Sequence, residues 1–235
     1  MNGFSAASRT LAWSVHFYTA LGAVIALEAL LATVHGDARA AFLWMAAAIA
    51  VDSSDGTLAR AARVKEVVPA YDGSKLDDIV DYLNYVVVPV FFAVEMKLVP
   101  DRYAMGIAAL PLLASAYGFC QSAAKTADFF FTGFPSYWNI TVFYMYAFGA
   151  SPGVNAAVLA LLSLLVFVPI GYVYPTRQPF LRPLTIGLGL AWGAALLIAL
   201  ARLPEPSPAL VYGSLAFPLY YFALSFYLHF GCRGR

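Results

Sequence analysis

VDSSDGTLARAARVKEVVPAYDGSKLDDIVDY, residues 51–82, carries regularly spaced aspartates inside a chain that is otherwise dominated by apolar residues. Asp52 and Asp55 are three residues apart, and Asp77 and Asp81 are four residues apart. Residues at these separations lie on the same face of an α-helix. The segment therefore predicts two helices, each of which presents a pair of carboxylates.

The composition of the whole chain predicts an integral membrane protein. Of its 235 residues, 62% are hydrophobic and 11% are charged, whereas charged residues make up about 25% of an ordinary soluble domain. The apolar runs are long and unbroken, which favours helices over a barrel because a helix satisfies its own backbone hydrogen bonds in lipid. The predicted fold class is all-α and polytopic. The net charge of +1 is uninformative about nucleic acid, and the sequence has no basic block that would indicate such a partner.

Apolar runs separated by turn signals predict about eight transmembrane helices. We expect one transmembrane domain over residues 1–235, with core helices over about 11–124 and the remaining helices over 137–230. The individual spans are expected at about 11–34, 40 into the motif, 73–97, 103–124, 137–148, 154–174, 184–201 and 210–230. Residues 137–148 are short for a hydrocarbon core of ~30 Å, so they form either a short span or part of a kinked one.

The distribution of cations predicts the orientation in the membrane. With a cytoplasmic N-terminus, ten of the 14 Lys and Arg residues fall in inner loops, as the positive-inside rule requires. The inner set comprises Arg9, Arg60, Arg63, Lys65, Lys75, Lys125, Arg177, Arg182, Arg233 and Arg235. The outer set comprises Arg39, Lys97, Arg102 and Arg202. This topology places both aspartate pairs on the cytoplasmic side.

Several carboxylates at one membrane depth require a compensating charge, because a charged residue at the centre of a spanning helix costs about 2.5–3.5 kcal/mol. No Cys or His accompanies the aspartates in the segment, and oxygen-only ligands point to magnesium, manganese or calcium. Two carboxylates from each of two helices are able to hold two divalent ions, as in phosphoryl-transfer sites. The segment therefore predicts a metal site that acts on a phosphate-bearing substrate.

The order Asp52-x-x-Asp55-Gly56-x-x-Ala59-Arg60, then Gly73-x-x-x-Asp77-x-x-x-Asp81, resembles the signature of the CDP-alcohol phosphotransferases. Members of this family are membrane enzymes that join a CDP-activated group to an alcohol and release CMP. The resemblance implies that Asp52, Asp55 and Asp77 bind divalent metal, two ions of Mn²⁺ or Mg²⁺. For Asp81 it implies either a further ligand or the catalytic base that deprotonates the acceptor hydroxyl.

The same resemblance implies that the small and basic motif residues bind the nucleotide. Gly56 and Ala59 would leave room for the cytidine and ribose against the helix. Arg60 would neutralise the diphosphate, and Gly73 would let the next helix begin close to the nucleotide.

The gap between Arg60 and Gly73 is twelve residues, which is longer than usual in the family. In this respect the chain is similar to a bacterial branch that condenses CDP-diacylglycerol with free choline. The similarity implies a multi-pass homodimer in the bacterial inner (cytoplasmic) membrane, with its active site facing the cytoplasm. Its partners would be CDP-diacylglycerol, choline and membrane lipid.

Candidate choline contacts follow from the chemistry of a quaternary ammonium group, which aromatic faces hold by cation–π attraction of about 0.5–2 kcal/mol per ring. Tyr82 and Tyr85 follow Asp81 closely, and His16 lies in the first span. Interfacial Tyr residues are also common as membrane-belt residues, and an intramembrane His also serves as an interhelical hydrogen-bonding group. Both interpretations stay open for these three residues.

Two other functions compete with choline transfer. An acceptor that already carries phosphate, such as glycerol 3-phosphate, would need extra cations near the metal, which Arg63, Lys65 and Lys75 are placed to supply. A cation transporter would need acidic residues spread through the depth of the membrane, whereas here they cluster at one side.

Overall fold

A computed structural model describes residues 3–122, 126 and 128–232 of the chain. Lys125, Arg233 and Arg235, three of the cations used to predict the topology, lie outside the described residues. The described part is mostly helical and contains two strands of three residues each, which confirms the all-α class. The chain divides into two compact units, residues 1–89 and residues 90–235.

The first unit contains the predicted site and is built from four helices and a π-helical turn. Their bounds are α1 Ala6–Val34, α2 Ala38–Ala61, α3 Val64–Val67, α4 Gly73–Tyr82 and the π turn Leu83–Val87. Asp37 caps α2 by accepting a hydrogen bond from the backbone N–H of Ala40, and Asp72 caps α4 by accepting from the N–H groups of Ser74 and Lys75. Such caps satisfy backbone donors that the first helical turn leaves unpaired.

Most side chains on the buried face of α1, which packs against α2 and α4, are small or short and polar. The residues of this face recur every three or four residues and are Ala12, Val15, His16, Thr19, Gly22, Ala26, Ala29 and Thr33. Small residues let membrane helices approach closely and gain van der Waals contact where lipid provides no hydrophobic drive. This face brings the motif-bearing helices onto α1.

Gly22 marks a close approach of α1 to α4. A Cβ atom at this position would lie 2.4 Å from Cγ1 of Val80 and 3.4 Å from Nδ2 of Asn84. The Asn84 amide donates to the backbone carbonyl of Gly22 at 2.9 Å. The side chain of Asn84 thus joins the two helices at the point where Gly22 allows contact.

Gly22→Ala is expected to destabilise the first unit by about 1–3 kcal/mol, the usual cost of overpacking a tight interface. Adding Val80→Ala should recover most of this loss, because it removes the methyl group that the new Cβ meets. Thermal unfolding in detergent measures both effects. This packing would be contradicted if Gly22→Ala were as stable as the wild type. It would also be contradicted if the double variant were less stable than Gly22→Ala alone.

The second unit contains the remaining helices and a short β-ribbon. The helices are α5 Val88–Glu95, which begins just before the unit boundary, α6 Ala104–Cys120, α7 Trp138–Phe148, α8 Pro152–Phe167, α9 Arg182–Ala201, α10 Pro208–Ser214 and α11 Ala216–Cys232, with a 3₁₀ turn at Asp101–Tyr103. β1 Phe130–Thr132 pairs antiparallel with β2 Gly171–Val173, in the register Phe130 to Val173 and Thr132 to Gly171.

The β-ribbon corrects the prediction of a helix over 154–174. The helix α8 ends at Phe167, and Val168 is extended with φ −85° and ψ 121°. Pro169 follows, and a proline disfavours helical geometry in the residue before it and provides no backbone N–H. Ser225 and His229 of α11 accept hydrogen bonds from the backbone N–H groups of Val173 and Gly171. These side chains, together with β1, pair the strand that the sequence pattern assigned to a helix.

Four helical stretches of the described residues are long and apolar enough to cross a membrane, namely Ala6–Val34, Asp101–Cys120, Arg182–Ala201 and Pro208–Gly231. Pro152–Phe167 is a shorter apolar helix. The helix α7 has 11 residues and spans about 16 Å at 1.5 Å per residue, so it is too short to cross alone. The chain is a helical membrane protein, and the count of eight spans stays a prediction.

Candidate metal and substrate site

Three of the four motif aspartates come together in the first unit. Asp52 and Asp55 on α2 and Asp77 on α4 each present an oxygen atom, and these oxygens lie within 4.8 Å of one another. Asp55 is buried with 6% of its surface exposed, and the other two are half-buried. The aspartates that helical spacing assigned to two helices therefore meet at one point.

Asp81 lies one turn further along α4 and is half-buried. It is not one of the three carboxylates that form the close cluster within the described residues. Its role as a fourth ligand or as a base stays a prediction, and the cluster alone does not depend on it.

The cluster has the donor set of a hard divalent cation. Three like charges at this separation repel one another by about 3 kcal/mol per pair at an effective dielectric constant of about 20. A Mg²⁺ or Mn²⁺ ion would offset this repulsion, and both ions favour carboxylate oxygens. The residues present therefore fit the metal that the motif implies.

Two hydroxyl groups from outside the motif donate to the cluster. Thr19 of α1 donates to Oδ2 of Asp55 at 2.9 Å, and Tyr85 of the π turn donates to Oδ2 of Asp52 at 2.7 Å. Sequence reasoning missed Thr19 and gave Tyr85 a role in substrate binding. The buried small and polar face of α1, on which Thr19 follows His16 by three residues, is the signal that would have identified Thr19.

The nucleotide-binding candidates lie at the end of α2. Gly56 is half-buried, and a Cβ atom there would lie 3.4 Å from a guanidinium nitrogen of Arg60. Arg60 is exposed and donates to the hydroxyl of Thr57 at 2.9 Å. Ala59 packs against a small apolar cluster made by α1, α3 and the C-terminal cap of α2, whose buried members are Ala12, Val15, Ala62, Val64 and Val67. Because Arg60 is exposed, its guanidinium is accessible to an anionic ligand.

The twelve residues between Arg60 and Gly73 form an ordered connection. Arg63 adopts a left-handed conformation with φ 51° before α3 begins. Val64 and Val67 of α3 are buried against α1, and the Arg63 guanidinium pairs with Glu66. Lys75 Nζ lies 3.7 Å from Asp72 Oδ2. Two of the three cations that a phosphate-bearing acceptor would use therefore have carboxylate partners.

Gly73 at the start of α4 packs against the imidazole ring of His16. A Cβ atom at Gly73 would lie 2.6 Å from Cε1 of His16 and 3.1 Å from Nδ1. The ring of His16 also packs against Tyr71, at 4.5 Å between centroids, and against Trp13, at 5.7 Å. His16 is 6% exposed, and its Nε2 has no hydrogen-bond partner within the described chain. The structure places His16 beside the motif, and its contact with substrate stays a prediction.

Gly73→Ala is expected to destabilise the first unit by about 1–3 kcal/mol, because the added methyl group enters the space of a buried ring. Thermal unfolding in detergent measures this loss. Combining it with His16→Ala should remove the clash and restore part of the stability relative to the single Gly73→Ala variant. Equal unfolding temperatures for Gly73→Ala and the wild type would contradict the packing described here.

Tyr82 ends α4 and is half-buried, and the π turn follows it directly. A π turn is rare and often occurs at functional sites, because it interrupts the regular α-helical register. Sequence spacing gave no sign of this turn. It contains both Asn84, which bonds to α1, and Tyr85, which bonds to Asp52.

Known proteins resemble the chain over nearly its whole length. No family model matches it. A phosphatidylcholine synthase of Legionella pneumophila is 44% identical over 223 residues, which cover 92% of this chain and 88% of the relative. The phosphatidylcholine synthase of Pseudomonas aeruginosa is 35% identical, covering 87% and 86%. That of Rhizobium meliloti is 34% identical, covering 92% and 90%.

Fold and site together define an α-helical membrane protein whose two motif-bearing helices bring three carboxylates into one cluster. The match to the phosphatidylcholine synthases covers most of this chain and most of each relative. It therefore indicates the family more specifically than the motif does. The chain belongs to the phosphatidylcholine synthase family.

Proposed function

We propose that the chain is a CDP-diacylglycerol–choline O-phosphatidyltransferase, which forms phosphatidylcholine and CMP. The observation that carries the proposal is the convergence of Asp52, Asp55 and Asp77 within 4.8 Å. The names of the relatives support choline as the acceptor and phosphatidylcholine as the product.

In this proposal the three clustered aspartates hold divalent cation, with Asp81 as a candidate further ligand. One or two Mg²⁺ or Mn²⁺ ions would neutralise the diphosphate of CDP-diacylglycerol and stabilise the charge of the departing CMP. Arg60 binds the same diphosphate through its exposed guanidinium. Gly56, Ala59 and Gly73 allow the nucleotide to lie close to the backbone of α2 and α4.

Asp81 acts as the general base. Its carboxylate takes the proton from the hydroxyl of choline, and the oxygen attacks the phosphorus atom attached to diacylglycerol. A new phosphorus–oxygen bond forms as the bond between the two phosphates of CDP-diacylglycerol breaks, which releases CMP. Tyr82 and His16 are the candidate contacts of choline. Tyr85 is assigned instead to Asp52, to which its hydroxyl donates.

The proposal also covers location and assembly. In this proposal the protein lies in the bacterial inner membrane with the site facing the cytoplasm, and it functions as a homodimer. The predicted excess of cations in the inner loops supports this orientation.

Purified protein in lipid nanodiscs, supplied with CDP-diacylglycerol, labelled choline and Mn²⁺, tests the proposed reaction. We expect labelled phosphatidylcholine and CMP in equal amounts, and neither product when EDTA is present. An acceptor screen in the same nanodiscs includes glycerol 3-phosphate, serine and inositol. Transfer to one of these with none to choline would overturn the acceptor assignment and leave the class of reaction intact.

A further inference from the structure

Two hydroxyl groups hold the metal-site carboxylates, and neither belongs to the motif. Thr19 lies on α1, which precedes the motif in the sequence, and Tyr85 lies in the π turn, which follows it. Each donates to Oδ2 of one aspartate, Thr19 to Asp55 and Tyr85 to Asp52. The two carboxylates of α2 are thus each fixed by a partner on another element.

Thr19 has a clear preference for its carboxylate partner. Its hydroxyl lies 2.9 Å from Oδ2 of Asp55 and 3.4 Å from the backbone carbonyl of Val15. Hydrogen bonds to an ionised acceptor are shorter and stronger than bonds between neutral groups. Thr19 is 7% exposed and Asp55 is 6% exposed, so water has little access to this bond.

These bonds restrict how the carboxylates rotate. A carboxylate at a metal site must present an oxygen in a defined direction, and hydrogen bonds from neighbouring groups fix that direction. Without them, repulsion among the three carboxylates would favour rotamers that move the oxygens apart. The donors keep Asp52 and Asp55 close to Asp77 before any ion binds.

We propose that Thr19 and Tyr85 are positioning residues that hold Asp55 and Asp52 in the arrangement that binds the divalent cation. This inference rests on the metal site of the proposed function. It makes α1 a part of the catalytic site, although the motif lies wholly on α2 and α4. Neither residue needs to touch the substrate for this role.

The chain contains a matched control for hydrogen bonding between α1 and α2. Tyr18 and Ser54 lie next to Thr19 and Asp55, and their hydroxyl groups bond to each other at 2.9 Å. This bond joins the same two helices at the same level but involves no carboxylate. Tyr18→Phe therefore removes a hydroxyl contact between these helices while leaving both donors to the metal site in place.

The experiment measures Mn²⁺ affinity by electron paramagnetic resonance of free Mn²⁺, with purified variants in nanodiscs. Thr19→Val and Tyr85→Phe each remove one hydroxyl, and we expect Mn²⁺ to bind about 10–100-fold more weakly to either variant. Thr19→Ser keeps the hydroxyl and should bind Mn²⁺ nearly as tightly as the wild type, as should Tyr18→Phe. Choline transfer by the two weakened variants should rise toward the wild-type rate as Mn²⁺ is increased, and Tyr18→Phe shows what the loss of a hydroxyl contact between α1 and α2 does on its own.

The outcomes separate this inference from the proposed function. If the wild type binds Mn²⁺ and Thr19→Val and Tyr85→Phe bind it equally well, the positioning role is wrong and the metal site stands. If Thr19→Ser loses as much affinity as Thr19→Val, the hydroxyl of Thr19 does not act as proposed. If the wild type binds no Mn²⁺, the metal site and the inference both fail. If Thr19→Val does not fold, Thr19→Ala and Thr19→Ser provide the same comparison. The Thr19→Ser variant must then bind Mn²⁺ more tightly than the Thr19→Ala variant.

Discussion

Asp81→Asn is expected to slow choline transfer by about 10²–10⁴-fold, the usual contribution of a general base, while Mn²⁺ and CDP bind almost normally. Asparagine has nearly the same shape but does not accept the proton. Asp81 lies one turn beyond Asp77 on α4 and outside the close cluster of three carboxylates. The change should therefore remove the base without removing a principal ligand of the metal.

Initial rates with labelled choline measure the loss of transfer, while electron paramagnetic resonance and calorimetry measure Mn²⁺ and CDP binding. Asp78→Asn is the matched control, because Asp78 lies on the same helix and is exposed. A parallel loss of Mn²⁺ affinity and rate would identify Asp81 as a metal ligand. An unchanged rate would contradict its role as the base.

Asp55→Asn is expected to abolish metal-dependent transfer and to weaken Mn²⁺ binding by more than about 100-fold, since it removes the charge of a buried ligand. The same change should raise the unfolding temperature of the metal-free protein. Repulsion of about 3 kcal/mol with each neighbouring carboxylate disappears, and the asparagine oxygen still accepts the hydrogen bond from Thr19. Activity and metal-free stability should therefore change in opposite directions.

Thermal unfolding with and without Mn²⁺ tests both parts of this expectation. The wild type should gain stability as Mn²⁺ is added, because a ligand that binds the folded state stabilises it. Asp55→Asn should start from a higher temperature and gain little, whereas Asp78→Asn should behave like the wild type. A large Mn²⁺-dependent gain in Asp55→Asn would show that Asp55 is not needed to hold the ion.

Much of the site was predictable because helical spacing is a local property. The separations of Asp52 from Asp55 and of Asp77 from Asp81 define shared faces wherever the chain forms helices. Composition independently required helices in a membrane. We expected the two aspartate-bearing helices to meet, because their carboxylates would share metal ions. The cluster of Asp52, Asp55 and Asp77 confirms that the two helices meet.

The features that escaped prediction depend on contacts between distant parts of the chain. Thr19 is 36 residues from Asp55, and no motif links them. The pairing of β1 with β2 joins residues about forty positions apart. The strand β2 lies inside the run that looked like a continuous apolar helix over 154–174, whereas β1 lies outside every predicted helix. Pro169 was the one local sign that this helix ends early. The π turn likewise carries Asn84, which bonds to the backbone of Gly22, 62 positions away in the sequence.

Mn²⁺ occupancy and choline transfer measured together on one nanodisc sample test the central claim most directly. The claim is that the cluster of Asp52, Asp55 and Asp77 holds a divalent cation required for transfer. We expect transfer to rise with the fraction of protein that has bound Mn²⁺, and to vanish when the ion is removed. Full transfer by metal-free protein, or saturated Mn²⁺ sites with no phosphatidylcholine formed, would contradict the claim.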